Sequence, residues 1–454
     1  MSAPVPASEA PEATPCEPAP RHNRRLLVGA ACSSLQPLFL SALMLPATAY
    51  VIRSLGPTGY GQWTTATSLV AVLVFMTNLG LRGTFVRAVA KAPETGPVGL
   101  AEQLGVRLLL AIIAAGIGLV ACLLLRYSHT VLLCTVMAAG ALVLTTISTT
   151  AADLLQAYHR LPAVAVVNMV AGLVLTGASV AVAWMGFGPI AIASTYIVGP
   201  AVSTAMLFWL IQRQHFPIRV RWDFRRFGRL LWDARYIAAH QLMDSTSGRA
   251  EGLIVPRLVG PTLFGFFSAG TLLASRGMTV PEGLCSAAYP SLVDAYRRGP
   301  IPLIRTFGKF LALMMASCVP AAVLVSLVAG PVARLLFPGR AEICEHVMRV
   351  TIWLLPVMGL EYIIGTGLSA MHKDAAQARA AFIGGVCNLL MTAALCWRFG
   401  IMGAAWSMVL RYVVKLIVLA PVVARCGQQL MAETAAARAQ SDDAAPAVPG
   451  VALS

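Results

Sequence analysis

The chain has 454 residues, of which 58% are hydrophobic and 12% charged, with a mean hydropathy of +0.75 and a net charge of +15. A soluble globular domain keeps its surface wet with about 25% charged residues, so a soluble enzyme, a nucleic-acid binder and a disordered scaffold are all excluded. The solvent is lipid.

Residues 1–20 hold six prolines, three glutamates and no aromatic side chain, and residues 1–22 are expected as a disordered cytoplasmic tail. No basic start leads directly into a short apolar core, so the segment does not read as a cleaved signal. The span after Arg21-His22-Asn23-Arg24-Arg25 is expected to stay as an anchor. A helix needs about 20 apolar residues to cross a bilayer. Residues 26–52, 54–81, 108–125, 130–152, 310–333 and 380–397 each lack Asp, Glu, Lys and Arg, and 161–212 runs for 52 residues without one. That last stretch holds two spans, turned at Gly186-Phe187-Gly188-Pro189.

In chain order the pattern predicts helices near 28–52, 60–81, 105–126, 130–155, 163–185, 187–211, 236–256, 262–290, 306–330, 344–370, 379–398 and 401–424. The seventh, eighth, tenth and twelfth are the polar ones. Residues 23–212 form a first six-helix bundle and 236–425 a second. Between them, 213–235 is a basic linker whose Trp222, Phe224, Phe227 and Trp232 suit an amphipathic segment on the inner surface. From about Gln428 the chain becomes Ala-rich and polar, and 426–454 is expected as a loose cytoplasmic tail.

Basic residues set the orientation. With the N-terminus inside, 23 of the 34 Lys and Arg fall in inner segments or span ends, 6 in outer ones and 5 within spans. This obeys the positive-inside rule and puts both termini in the cytoplasm. The net positive charge then reflects topology and contact with anionic headgroups, not nucleic acid.

A repeat lies inside the chain. Arg53-Ser-Leu-Gly-Pro-Thr-Gly-Tyr-Gly-Gln-Trp-Thr64 aligns without gaps on Arg257-Leu-Val-Gly-Pro-Thr-Leu-Phe-Gly-Phe-Phe-Ser268. Arg53/Arg257, Gly56/Gly260, Pro57/Pro261, Thr58/Thr262 and Gly61/Gly265 are identical at one offset of 204, and Tyr60/Phe264 is conservative. Phe187-Gly188 and Phe399-Gly400 recur at a similar offset. Turn chemistry alone accounts for the Gly-Pro pair but not for the fixed spacing of the rest. Six spans per repeat is an even number, so both copies run the same way. The expected fold is an all-α polytopic membrane protein, with two six-helix bundles related by a pseudo-two-fold axis along the membrane normal.

The segment Arg53 to Gly61, followed by Asn78-Leu79-Gly80-Leu81, resembles the Wzx-type polysaccharide flippases of the MOP (MATE-like) superfamily. The Gly-Pro start of the eighth span and the Gly-rich opening of the twelfth, 400–405, are similar too. The resemblance covers roughly residues 22–425 and rests on structural motifs. It implies a twelve-span inner-membrane protein that moves a lipid-linked oligosaccharide from the inner to the outer leaflet. Its partners would be the polyprenyl-linked oligosaccharide, the bilayer, and polysaccharide polymerase and export machinery.

Charges deep in spans cost at least ~2.5–3.5 kcal/mol each on insertion scales, so they face a wet cavity or a partner. Asp244, Arg249, Glu251, Arg276, Glu282, Arg349, Glu361, Arg411 and Lys415 are such residues, all in the second half. Asp153 lies near an inner end in the first. Asp244, Gly248 and Glu251 share a helix face, and Gly248 with Gly252 forms a GxxxG that admits a close helix. Arg411 and Lys415 share another face with no acid on their helix. Two readings stay open: Arg249, Arg276, Arg349, Arg411 and Lys415 line a cavity for an anionic head, or these charges are interhelical ion pairs such as Arg276–Glu282 and Arg249–Asp244. Asp244, Glu251 and Glu361 are candidates for H+ or Na+ coupling, with His240 a turn before Asp244 either a relay or simply packed. No other cofactor is expected. No P-loop is present, and the ten cysteines show neither a C-x-x-C nor metal spacing.

Three functions compete: a lipid-linked oligosaccharide flippase, a multidrug-extrusion-type small-molecule exporter, and an integral-membrane enzyme acting on polyprenyl-linked sugars. The third would need a sizeable outer loop, and the longest outer connection is about a dozen residues, 331–343. Exporters of cationic drugs want acidic pockets, whereas the second half carries a basic excess.

Overall fold

The computed structural model describes residues 20–79, 96–158, 160–213 and 248–443, together with Leu81, Arg82, Phe85, Val86, Val89 and Ser245. All regular structure among them is helical. In the first half α1 (Pro20–Leu73) runs into a short 3-10 turn, Val74–Thr77, and is followed by α2 (Gly96–Leu124), α3 (His129–Ala157), α4 (Leu161–Trp184) and α5 (Pro189–Gln212). The second half holds α6 (Ala250–Gly270), α7 (Leu272–Gly277), α8 (Thr279–Arg297), α9 (Pro300–Leu336), α10 (Ala341–Thr351), α11 (Leu354–Ala370) and α12 (Asp374–Asp443). Eight helical stretches among the described residues are long and apolar enough to cross a membrane. The chain is a multi-pass membrane protein.

Three of these helices are two spans each, turned at a glycine of positive φ: Gly56 (φ 65°) in α1, Gly260 (φ 83°) in α6 and Gly400 (φ 61°) in α12. A side chain there would strain the backbone by roughly 1–2 kcal/mol. Counting each limb separately gives the twelve spans expected from hydropathy, the seventh being described from residue 248 onward apart from Ser245. The eighth is assembled from the far limb of α6 with α7 and α8, and the tenth from α10 and α11. Both were expected to be continuous. The breaks have a common cause, since a proline cannot donate to the carbonyl four residues earlier and its ring pushes that carbonyl away. Pro281 meets Gly277, where α7 ends, and Pro356 meets Ile352, just after α10 ends.

The two copies of the repeated motif touch each other. Thr58 Oγ1 and Thr262 Oγ1 share a hydrogen bond of 3.0 Å. A Cβ at position 61 would overlap the Pro261 carbonyl, and one at position 265 would overlap the Pro57 carbonyl. Reciprocal contacts of this kind occur only about a two-fold axis. The symmetry extends further than the sequence repeat: Ser179 bonds Thr195 at 2.9 Å between the fifth and sixth spans, and Thr392 bonds Ser407 at 2.9 Å between the eleventh and twelfth. Trp184 and Trp397, 76% and 81% exposed, end the fifth and eleventh spans, positions that suit the membrane interface.

Of the expected GxxxG, Gly252 packs directly on Ser68 of the second span, while a Cβ at Gly248 would meet nothing within 4 Å among the described residues. The twelfth span's helix runs on to Asp443, well past Gln428, where a loose tail was expected. Its alanine-rich composition there favours helix strongly. The amphipathic linker, from 214 on, lies outside the described residues, as do the N-terminal tail up to residue 19, His240 and Asp244.

Candidate functional site

A cavity of about 710 Å³ opens in the first bundle, walled by the second to sixth spans. Its polar end is built from three helices. Asp153, near the end of α3 and 3% exposed, accepts from Arg107 of α2, whose Nη1 lies 2.8 Å from its Oδ2. Arg107 also donates to Thr150 Oγ1 at 3.1 Å and to Asn78 Oδ1 at 2.5 Å, at the foot of the second span. Arg82 approaches the other carboxylate oxygen, with Nε 3.0 Å from Oδ1, and donates from Nη2 to Gln156 at 2.9 Å. Its side chain remains 55% exposed. One carboxylate thus serves two guanidiniums, and the cluster carries a surplus positive charge.

The second bundle uses its charges differently. Glu251 and Arg411, both 4% exposed, attract each other across the seventh and twelfth spans, and Asn388 of the eleventh hydrogen-bonds Glu251. One turn along the twelfth span, Lys415 Nζ reaches Glu361 Oε1 of the tenth at 3.8 Å. Tyr412 stands between them, its ring 4.6 Å from the Arg411 guanidinium and 5.3 Å from the Lys415 ammonium, with its hydroxyl accepting from Arg411 at 3.2 Å. Arg349 pairs with Glu345 one turn earlier on α10 at 2.6 Å, the arginine half exposed and the glutamate mostly covered. Arg249 and Glu282 are exposed. Among the described residues no ion pair joins Arg276 to Glu282.

Arg276 stands apart from that network. It lines a small cavity of about 30 Å³ together with Met44, Trp63 and Tyr196 of the first bundle. Tyr196 also lines the larger cavity, and its ring packs 5.1 Å from Trp63, which in turn lies 5.4 Å from Tyr60. The repeat motif's Tyr60 is therefore part of a row of tilted aromatic rings leading from the axis to the cavity wall. Arg53 and Arg257, the first residues of the two motif copies, are both exposed.

Sequence reasoning placed the candidate site among second-half charges and passed over Arg82 and Arg107, counting them as basic residues at inner span ends. The available signal was Asp153, a lone acid in an apolar run, which requires a buried base from a neighbouring helix.

The sequence model of the family described as polysaccharide biosynthesis protein matches residues 51–340. No curated protein sequence matches. Among solved structures, an inward-facing multidrug resistance MATE family transporter of the MOP superfamily superimposes with a TM-score of 0.67 at 14% identity, covering 87% of this chain and 98% of its own. The lipid II flippase MurJ in an inward closed conformation gives 0.66 at 14% identity, covering 86% and 87%. An outward-facing MATE family transporter gives 0.58 at 15% identity, covering 86% and 93%. These likenesses place the chain in a two-lobe, twelve-helix fold.

Proposed function

The chain belongs to the polysaccharide biosynthesis protein family, and from that premise we propose that it is a flippase. It carries a lipid-linked oligosaccharide from the inner to the outer leaflet of the inner membrane by alternating access, and hands it to polymerase or export machinery. The observation that carries this reading is the pair of lobes closed on each other across the axis at the end expected outside, beside a polar, arginine-bearing cavity. Such a state presents the cavity to the cytoplasmic leaflet, where lipid-linked sugars are assembled.

Residues 23–212 and 236–425 are the two rocking units, joined by the basic linker. Of the second-half charges, Arg276 is the one we assign to the anionic head, because it faces the first bundle across the lobe boundary. Arg411 and Lys415 are matched by Glu251 and Glu361 and hold helices together. If an ion gradient drives the cycle, H+ or Na+ binding at Glu251 or Glu361 would loosen those same pairs.

A strain lacking the protein should still assemble its lipid-linked unit but fail to display or secrete the polysaccharide. Failure to make the unit would place the protein upstream of export and overturn the reading. A drug exporter of the same fold would instead leave polysaccharide intact and change drug susceptibility.

A further inference from the structure

We propose that Arg82, backed by Arg107, is a docking point for a phosphate or diphosphate ester in the first bundle, a site separate from the second-half charges. The inference rests on the flippase reading for the identity of the ester's carrier, and on geometry for the site itself.

The charge balance of the cluster comes first. Asp153 is buried and held by Arg107 through a 2.8 Å ion pair, and the same guanidinium donates to Thr150 and Asn78 as well. This pair is complete without Arg82. Arg82 is bound more loosely, through Nε to Asp153 and Nη2 to Gln156, and more than half of its side chain is accessible. It borders the 710 Å³ cavity, within the roughly 300–1,000 Å³ range of small-ligand sites. A guanidinium with a planar fork, a surplus charge and an open face is suited to accept phosphate oxygens bidentately. Asp153 would not be stranded when Arg82 turns to the ligand, because Arg107 stays. Asp153 and Gln156 thus pre-orient Arg82 and release it on exchange.

The rest of the cavity says what the anion is attached to. Thr67, Thr145, Thr149 and Asn168 put hydroxyl and amide groups on its wall, which match the hydroxyls of a sugar better than an apolar drug. In this conformation the cavity beside Arg276 is only about 30 Å³, too small for a diphosphate sugar. Arg82 is therefore the first station, and Arg276 a later one reached when the lobes move.

The test uses the full-length protein in detergent micelles and equilibrium binding of three probes: a farnesyl diphosphate-linked disaccharide, its uncharged ether analogue, and inorganic diphosphate. Wild type should bind the diphosphate-linked compound with an affinity that falls as salt rises, and the ether analogue much more weakly. Arg82→Gln should weaken the diphosphate-linked compound by about tenfold or more and leave the ether unchanged, with an unaltered unfolding temperature because the Arg107–Asp153 pair is intact. Arg82→Lys should fall between. Inorganic diphosphate should displace the probe from wild type and not from Arg82→Gln, and the ratio of its affinity to that of the lipid-linked compound tells a free anion from one carried on lipid. Wild-type binding by Arg82→Gln, with the loss seen instead in Arg276→Gln, would overturn the first-bundle site and leave the flippase reading standing. Wild-type protein that did not prefer the diphosphate-linked compound over the ether would overturn both.

Discussion

Arg107 and Arg411 are 3% and 4% exposed, and each is neutralised by an acid from another helix, Asp153 and Glu251 respectively. Removing one member of such a buried pair leaves the other charge in a low-dielectric interior, at about 3–5 kcal/mol. Arg411→Ala is therefore expected to accumulate poorly in the membrane, as read by immunoblotting of membrane fractions. Arg276 borders a cavity and has no carboxylate partner among the described residues. Arg276→Ala should accumulate normally and lose polysaccharide export, while Arg276→Lys keeps part of it because the charge remains and the fork is lost. Normal export by a well-accumulated Arg276→Ala would remove Arg276 from the mechanism. At this scale sequence reasoning identified Asp153 and the second-half charges as out of place in a membrane, but not the partners that hold them. Arg107 and Asp153 are 46 positions apart, and Arg411 and Glu251 are further still. Helical periodicity sorts residues along one helix, whereas these pairs are chosen by which helices pack together.

At the scale of elements, the spans were legible because lipid demands uninterrupted apolar runs, and the turns at Gly56 and Gly260 because the motif repeats. The breaks at Pro281 and Pro356 were written in the sequence as well, but hydropathy averages over them. Thr58 and Thr262 meet at 3.0 Å on the axis, so a Thr58→Cys/Thr262→Cys pair should cross-link on oxidation and hold the two lobes together at the motif. Transport should stop on oxidation and return on reduction, with single-cysteine variants unaffected. Transport that continued in the fully cross-linked protein would mean that the lobes do not part here. The Cβ added by Gly61→Ala should push the lobes apart at the Pro261 carbonyl and weaken the same closed state.

For the whole molecule, the basic-residue asymmetry predicts cytoplasmic ends. Reporter fusions at Ala10 and Ala439 should both read cytoplasmic, and an outside reading at either end would break the twelve-span count. The two-bundle plan was readable because a parallel repeat requires an even number of spans per copy. The division of labour between the bundles was not, since a cavity is a property of how helices splay and leaves no periodic mark. The reciprocal contact of Pro57, Thr58 and Gly61 with Pro261, Thr262 and Gly265 has the form of an isologous homodimer interface carried within one chain. In a true homodimer every substitution appears on both sides of the axis at once, so a cavity opened in one protomer is opened in the other. Fusion removes that obligation. The residues on the axis still have to fit their own counterparts, while away from it one bundle keeps an open, hydroxyl-lined chamber and the other ties Glu251 to Arg411 and Glu361 to Lys415 across its helices, so that a symmetric seam joins two unlike halves.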